Sequence, residues 1–500
     1  MKRYSDFFDE IDDTELFDGL LGYGMFNEKL PPMFTSIPFL DFCKSTNPTF
    51  SNTSPKQSFI YYEAMRNINI PRGMGIPTPM SYYKLCKSLA DNWGGIQLHF
   101  REKTQNEIHK TSRIHLRKKK KSHSLFEMNY KSYKTDDTPT DYLVIGNKYV
   151  VNADISTCFP SIYSHSVPWA LVGKDLAKQS KSNSTAWYDQ IDFNLRNTTH
   201  GETHGILIGP HSSNLIAEIV LVCIDQTLVQ QGWKFIRNID DYTCYTSSYE
   251  EGQKFLISLA TELRKFKLVL NHKKTKILPL PIASTEDWVR KLNLYSNRNH
   301  KNYMDYKDVQ AYLDLAISLM AENQYNASIL NYAIKVISKQ TLTKNAVDYL
   351  KNSVFHLVII YPYLISLVED HLFIPFRINQ NDIYPFTNLL YEEGVRQNNH
   401  EIICYAIYFS LKYNFMIENL DYVVSKESNN CILLLLSFLY AVRQKDNAQI
   451  KNFKAHARDL QKNDDELQQN WLFIFEALPF GSLKGDWKKL KQANVSFVNI

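Results

Sequence analysis

Two adjacent carboxylates, Asp240 and Asp241, lie between two short runs of β-branched and aromatic residues. The flanking runs, 234–239 and 242–245, predict a hairpin of two strands with the Asp pair at or beside its turn. Other Asp pairs occur in the chain, but only this pair has apolar, strand-like residues on both sides. Asp most often serves as a solvated turn or cap residue. The alternative role for this pair is to hold two charges rigidly at a sheet edge.

A third carboxylate, Asp154, ends another predicted strand that contains Tyr149 to Val151. The segment 142–145 is expected to be the partner strand of a hairpin that turns at Gly146. A carboxylate at the end of a buried strand is costly unless it is paired or bound to a metal ion. The other explanation is that Asp154 caps the turn that follows it.

Asp154 and Asp240 are 86 residues apart, and two strands with that separation can lie side by side in one sheet. Carboxylates brought together in this way repel each other unless cations lie between them. Mg²⁺ is the natural companion of such a cluster. Two metal ions can activate an attacking hydroxyl and stabilise a leaving pyrophosphate in nucleotidyl transfer. The sequence therefore predicts a metal-dependent site in one α/β unit.

Basic residues concentrate in 101–134, which contains eleven basic and three acidic side chains, a net charge of +8, whereas the whole chain carries only +5. Alternation of apolar and cationic residues from Arg113 to Arg117 predicts a half-exposed strand. We take Arg113, Arg117 and Lys118 as candidates for triphosphate binding. A solvated basic loop is the alternative. Lys273 and Lys274 crowd a second predicted turn.

Three regions follow from the pattern of the chain. Residues 1–55 form an acidic, then Pro-marked segment, residues 56–285 contain the α/β unit, and residues 286–500 show helical periodicity throughout. Within the second region, helices are expected at 61–70, 81–89, 215–229 and 252–263. The predicted fold class is α+β with an all-α, HEAT-like helical domain at the end.

The seven cysteines are scattered and show no metal-ligand spacing, which indicates a reducing compartment. The N-terminus has no apolar signal core. The apolar runs at 354–368 and 431–442 are shorter than the roughly 20 residues of a spanning helix. We therefore expect a cytoplasmic protein with no membrane partner.

Four motifs in this order resemble those of reverse transcriptases. They are a strand-borne Asp followed by an aromatic residue and Pro-Ser-Ile, then Gly-Ile-x-Ile-Gly-Pro-x-Ser-Ser-Asn before a helix, then Ile-Asp-Asp, then Leu-Asn-x-x-Lys-Thr-x-Ile. The resemblance covers about residues 70–280 and implies a fingers-and-palm fold.

The resemblance also implies roles for individual residues. Asp154, Asp240 and Asp241 would be the metal-binding triad, with Mg²⁺ or Mn²⁺ also bound by the backbone carbonyl of Ile155. Phe159 would be the steric gate against a ribose 2′-hydroxyl. Gly209 and Pro210 would pack on the nucleotide, and Lys274 matches the late lysine of the family.

Two departures distinguish this chain from most reverse transcriptases. Asn238 stands where the hairpin motif usually begins with Tyr or Phe, and Ile208 stands where many members have Gln. With the long helical C-terminal half, they make the chain most similar to bacterial abortive-infection, AbiK-like reverse transcriptases. This resemblance implies phage defence, untemplated DNA synthesis from deoxynucleoside triphosphates, a single-stranded product attached to a protein hydroxyl, and homo-oligomers.

Two alternatives to that function stay open. One is conventional copying of an RNA template by the same catalytic residues. The other is a catalytically silent scaffold that binds nucleic acid and recruits partners through its helical half, against which the intact Asp triad argues.

Overall fold

The computed structural model describes residues 3–50, 56–113, 116–118, 125, 138–179, 186–297 and 302–499. In these residues the chain combines two small antiparallel sheets with twenty-four α-helices. The predicted α+β class is confirmed. The division into three regions at 55 and 285 stays a prediction.

The N-terminal segment is helical. Its helices are α1 (Tyr4–Asp9), α2 (Asp13–Tyr23) and α3 (Ile37–Thr46). The Asp12 side chain accepts a hydrogen bond from the Glu15 amide at 2.7 Å, and the Glu15 side chain accepts one from the Asp12 amide. These two bonds form a capping box at the start of α2. Buried Tyr4 and Phe8 anchor the segment to the rest of the molecule.

A two-stranded hairpin follows, where a helix over 61–70 was predicted. Its strands are β1 (Phe59–Met65) and β2 (Pro71–Pro77), and the helices after it are α4 (Pro79–Asp91) and α5 (Trp93–Thr104). The helix prediction is wrong because burial in β1 alternates with a period of two, with Ile60, Tyr62 and Ala64 inside. Helix α4 confirms the prediction for 81–89.

The four-stranded sheet holds the carboxylates and has the strand order β4-β5-β3-β6. Its strands are β3 (Tyr149–Asp154), β4 (Phe235–Asn238), β5 (Asp241–Thr246) and β6 (Lys276–Pro279). All neighbours pair in the antiparallel sense. The strand predicted over 142–145 is instead part of α6 (Thr140–Leu143) and a turn, because Pro139 begins a helical turn that Val144 closes by donating to the Thr140 carbonyl.

Helices cover this sheet and connect its strands: α7 (Cys158–Ser161), α8 (Ser166–Val172), α9 (Lys174–Gln179), α10 (Trp187–Arg196), α11 (His211–Gln230) and α12 (Tyr249–Lys265). Helices α11 and α12 confirm the predictions for 215–229 and 252–263. Among the described residues, α11 is the one helix long and apolar enough to cross a membrane, and 72% of its most apolar window is buried inside the protein.

The C-terminal region of the chain, from residue 287 onward, is helical, as predicted. It comprises α13 (Asp287–Asn297), α14 (Tyr306–Glu322), α15 (Ser328–Ile337), α16 (Lys344–Ile360), a 3₁₀ turn (Pro362–Leu367), a π turn (Glu369–Phe373), α17 (Gln380–Arg396), α18 (His400–Tyr413), α19 (Tyr422–Glu427), α20 (Cys431–Arg443), α21 (Asn447–Leu460), α22 (Asp464–Gln469), α23 (Trp471–Ala477), a 3₁₀ turn (Phe480–Ser482) and α24 (Gly485–Gln492). Sequential helices such as α17 and α18 pack together.

The C-terminal helical region also supports the β1–β2 hairpin. The Met65 amide donates to the Glu401 carboxylate at 2.7 Å. At the hairpin turn, the Asn67 side-chain amide donates to Asn326 at 2.7 Å, and that of Asn69 donates to the Ile360 carbonyl at 2.9 Å. The hairpin is therefore positioned from the C-terminal part of the chain.

Candidate active site

Strand register brings the three predicted carboxylates to one end of the four-stranded sheet. Asp154, the last residue of β3, lies directly opposite Asp241, the first residue of β5. Asp240 lies in the β4–β5 turn, and its carbonyl accepts a hydrogen bond from the Ile155 amide at 3.1 Å. The predicted hairpin is therefore correct, and Asp154 lies beside the Asp pair in the same sheet, as predicted.

Burial and neighbouring carboxylates raise the pKa values of Asp240 and Asp241. Burial is the main cause that raises the pKa of Asp240, and repulsion from Asp154 adds to it. Burial, with repulsion from Asp240 and Asp154, raises the pKa of Asp241 to about 6. The negative charge of the cluster is therefore only partly compensated by the protein.

Lys274 supplies part of that compensation. Its Nζ lies 2.6 Å from Oδ2 of Asp154, and this hydrogen bond is the main cause that raises the lysine pKa. The other carboxylate oxygen of Asp154 accepts from the side-chain amide of Asn271 at 2.8 Å, and the Asn271 main-chain amide donates to the Asp154 carbonyl. Sequence reasoning did not assign Asn271 a role, although it stands three residues before Lys274.

The donor set suits a hard divalent cation. In the part of the chain that the structure describes, no three His, Cys, Asp or Glu side chains are already arranged as metal ligands. Burial, with repulsion between the carboxylates, nevertheless raises the pKa values of Asp240 and Asp241, and a bound cation would oppose both effects. Because the Ile155 amide faces Asp240, the extended backbone directs the Ile155 carbonyl to the same edge. Asp154, Asp240, Asp241 and this carbonyl would hold the ion.

Comparison with protein families identifies the unit that carries this site. Residues 103–284 match the family described as reverse transcriptase (RNA-dependent DNA polymerase). This part of the chain is a reverse transcriptase domain. The four-stranded sheet with its helices corresponds to the palm that the resemblance predicted. Comparison with curated proteins gave no match.

Similar solved structures include telomerases of two yeasts. The apo telomerase of Candida tropicalis has 10% sequence identity and a TM-score of 0.34, over 81% of this chain and 68% of that chain. The same protein truncated from its C-terminal domain has 12% identity and a TM-score of 0.30, over 49% of this chain and 54% of that one. The Candida albicans telomerase in complex with a fragment of telomeric RNA has 10% sequence identity and a TM-score of 0.30, over 70% of this chain and 66% of that chain. This chain thus spans about half of the truncated telomerase.

Phe159 lies in α7 of the reverse transcriptase domain, five residues after Asp154. Its ring is half-buried against the core, and its carbonyl accepts from the Ile206 amide at 3.0 Å. Before it, Thr157 has a left-handed φ of 43°, which turns the chain sharply between the strand and α7. The turn therefore places the predicted steric gate in the short helix that directly follows the strand of Asp154.

The loop that contains Gly209 and Pro210 joins the palm to the β1–β2 hairpin. The Gly75 amide donates to the Ile208 carbonyl at 2.9 Å. Gly209 has φ of 135°, and a Cβ at this position would lie 3.0 Å from the Gly75 carbonyl oxygen. Pro210 then caps α11 in an extended conformation. This close backbone approach explains the glycine requirement at 209.

Arg72, on β2, is a cation that sequence reasoning missed. The side chain is exposed, and its charge lowers the pKa of Asp240 against the opposing effect of burial. The signal that could have found it is the Arg-Gly-x-Gly pattern in 72–75, which is typical of a strand that a ligand approaches closely. The hairpin therefore contributes charge to the palm site.

The structure places two of the other predicted cations, Arg117 and Lys118, against the N-terminal segment. Buried Arg117 lies over the ring of Phe7 at 5.4 Å, and Lys118 forms an ion pair with Glu15. Arg113 is buried, and its amide donates to the Arg237 carbonyl at 2.8 Å. Of the predicted strand 113–117, residues 114 and 115 lie outside the described residues. Triphosphate binding by these three cations stays a prediction.

Proposed function

We propose that this protein is a Mg²⁺-dependent DNA polymerase of the reverse-transcriptase type that elongates DNA without a template in bacterial phage defence. The observation that carries the polymerase activity is the register of Asp154 against Asp241, with Asp240 in the adjoining turn and Lys274 on Asp154. The finer properties rest on the resemblance to AbiK-like reverse transcriptases: a protein hydroxyl as primer, a covalently attached single-stranded product, homo-oligomers and a cytoplasmic location.

The protein's own groups would each act on a different part of the substrate. Asp154, Asp240, Asp241 and the Ile155 carbonyl would bind Mg²⁺, which when bound lowers the pKa of the attacking hydroxyl and neutralises phosphate charge. Lys274 forms an ion pair with Asp154, so its ammonium is placed to stabilise charge that develops on the phosphates. The Phe159 ring would exclude a ribose 2′-hydroxyl, and the backbone at Gly209 permits close approach of the nucleotide.

Two residues support synthesis without a template. Ile208 packs its side chain against the core and offers no amide group where many relatives have Gln. Asn238 is paired with Asp241 across the β4–β5 hairpin, at a position where an aromatic side chain is usual. Both departures remove groups from the place where template, primer and nucleotide would meet.

Intact-mass measurement after incubation with Mg²⁺ and one deoxynucleoside triphosphate at a time tests the proposal. A ladder of nucleotide additions on the protein, without added primer or template, is the expected result. The variant with Asp240→Ala and Asp241→Ala is the control and should keep its original mass. No addition by the wild-type protein with Mg²⁺ or Mn²⁺, with or without a nucleic-acid primer, would rule out untemplated synthesis.

The family match favours a second candidate, because its description is an RNA-dependent DNA polymerase. In that case the protein would copy an RNA annealed to a DNA primer. Sequencing of products made on two different RNA templates separates the two candidates. Product sequence that follows each template would support copying, whereas the same homopolymeric or mixed product on both would support untemplated synthesis.

A phage plating assay tests the role in defence and separates it from the scaffold alternative. The paired Asp240→Ala and Asp241→Ala variant should lose protection while it remains folded and expressed at the wild-type level. Undiminished protection by this variant would favour a scaffold that needs no catalysis.

A further inference from the structure

A buried ion cluster lies directly behind the turn that presents Asp240 and Asp241. Its centre is Arg237 on β4, whose side chain is completely buried. Its partners are Glu218 and Asp225 on α11, both at most 6% exposed. The mechanism described above uses none of these groups.

Every N–H group of Arg237 has an acceptor. Nε donates to Asp225 at 2.8 Å, and Nη2 donates to Asp225 at 2.6 Å and to Glu218 at 3.1 Å. Nη1 donates to Glu218 at 2.7 Å and to the main-chain carbonyl of Ile239 at 2.8 Å. The guanidinium is planar, and all its N–H groups are hydrogen-bonded, so its position relative to α11 is fixed. The Ile239 carbonyl that it binds therefore has little freedom to move.

That carbonyl belongs to a strained residue. Ile239 has φ of 55°, a left-handed conformation that a β-branched side chain rarely adopts. Such backbone persists only where the surroundings determine it. Two hydrogen bonds flank the strained turn: one from Arg237 to the Ile239 carbonyl, and one from the Ile155 amide to the Asp240 carbonyl. Together they determine where the following carboxylates point.

The cluster also reaches the N-terminal helix. The Tyr4 hydroxyl donates to Oε2 of Glu218 at 2.5 Å, and the Ser112 hydroxyl donates to the same oxygen at 3.2 Å. The ring of Tyr4 is held edge-on by Phe8 and Phe100, with centroids 5.0 and 6.0 Å away. Helix α1 therefore orients the carboxylate that in turn orients Arg237.

Stability alone is a poor reason for such an arrangement. The cost of removing buried charges from water offsets much of their attraction, and apolar side chains of similar volume often stabilise a fold at least as well. A rigid, directional group is needed, however, to hold one carbonyl of a strained turn.

We propose that Arg237 is a positioning residue that holds the Asp240–Asp241 turn in metal-binding geometry through the Ile239 carbonyl, and that Tyr4 of the N-terminal helix completes its support. The inference rests on the proposed function insofar as it concerns catalysis. The position of the carboxylates, however, can be measured independently as affinity for a divalent cation.

Arg237→Lys is the main variant, because it keeps the charge and removes the planar fork. Mn²⁺ binding is measured by the paramagnetic resonance of the free ion, with Asp240→Asn to identify the site. We expect Arg237→Lys to weaken Mn²⁺ binding about tenfold, as supporting groups of metal ligands typically do. Nucleotide incorporation should show kcat lowered about 10- to 100-fold, with KM for the deoxynucleotide nearly unchanged.

Tyr4→Phe removes only the hydroxyl and should give a smaller loss in the same two quantities. Its matched control is Tyr312→Phe, a fully buried tyrosine of α14 whose hydroxyl has no hydrogen-bond partner among the described residues. This control should leave both quantities unchanged.

A folded Arg237→Lys protein with wild-type Mn²⁺ affinity would overturn the positioning role. If Arg237→Lys does not fold, Tyr4→Phe decides, and wild-type Mn²⁺ affinity and kcat in that variant would equally overturn it. If the wild-type protein binds Mn²⁺ but incorporates no nucleotide, the polymerase proposal fails, whereas the Mn²⁺ titration still decides the role of Arg237.

Discussion

Replacement of Asp241 by Asn should stabilise the protein near neutral pH while it removes the proposed activity. Burial and two neighbouring carboxylates raise the pKa of Asp241 to about 6, from an ordinary value of 3.8. A group whose folded-state pKa is raised binds more protons in the folded state between these values, so stability falls as pH rises from about 4 to about 6. Above pH 6 the ionised carboxyl lowers the free energy of unfolding by its full amount.

The structure sets an upper limit on this penalty. A shift of roughly two pH units corresponds to about 3 kcal/mol at pH 7.5. Although neighbouring atoms crowd the Asp241 carboxyl, its side chain still reaches solvent, which screens the repulsion and reduces the expected gain for Asp241→Asn to about 1 kcal/mol. At pH 4.5, where the folded wild-type carboxyl is already protonated, only about a third of the gain should remain.

Urea unfolding followed by tryptophan fluorescence at pH 7.5 and 4.5 measures the difference. The control is Asp314→Asn, which neutralises an exposed Asp on α14 and should have little effect at either pH. Mg²⁺ should stabilise the wild-type protein more than Asp241→Asn, because the ion binds the folded carboxylates. A loss of stability at pH 7.5, or a gain of equal size at both pH values, would refute the reasoning.

Three further predictions concern residues around the carboxylates. Lys274→Met should lower kcat for nucleotide incorporation about 100-fold, because it removes the cation that pairs with Asp154. Lys274→Arg keeps the charge and should retain more activity. Equal rates for the two variants would count against a role of the charge. Phe159→Ala should raise ribonucleotide incorporation relative to deoxynucleotide at least about tenfold, measured in competition; an unchanged ratio would exclude the gate. Gly209→Ala should destabilise the protein by about 1–3 kcal/mol in urea unfolding, because its Cβ would crowd the Gly75 carbonyl. The control is Gly146→Ala, which also has a positive φ but has open space around its Cβ, so it measures the effect of the backbone conformation alone.

Local patterns were sufficient where one segment decides its own structure. The apolar periodicity of α11 and α12 and the strand–turn–strand pattern around Asp240 predict these elements correctly, because side-chain period and turn residues are local properties. The pairing of β3 with β5 followed from chemistry, since the three carboxylates need a common cation.

Other elements depended on contacts with distant residues. Residues 59–65 form a strand because the hairpin has a packed face and is bonded to Glu401 and the helices beyond it, whereas the local pattern also suited a helix. Arg117 and Lys118 lie against Phe7 and Glu15 of the N-terminal segment, which the composition of the basic region does not indicate.

The sequence by itself determined the chemistry of the site, because the Asp triad, the late lysine and the glycine loop are readable as residue types in a fixed order. Only the tertiary structure decided how the catalytic side chains are positioned and which groups surround them. It placed Arg72 near Asp240, set Lys274 and Asn271 on Asp154, and held the strained Ile239 turn with Arg237. The physical reason is that residue types follow from the chain alone, whereas burial, pKa and hydrogen-bond direction depend on groups that folding brings together from distant segments.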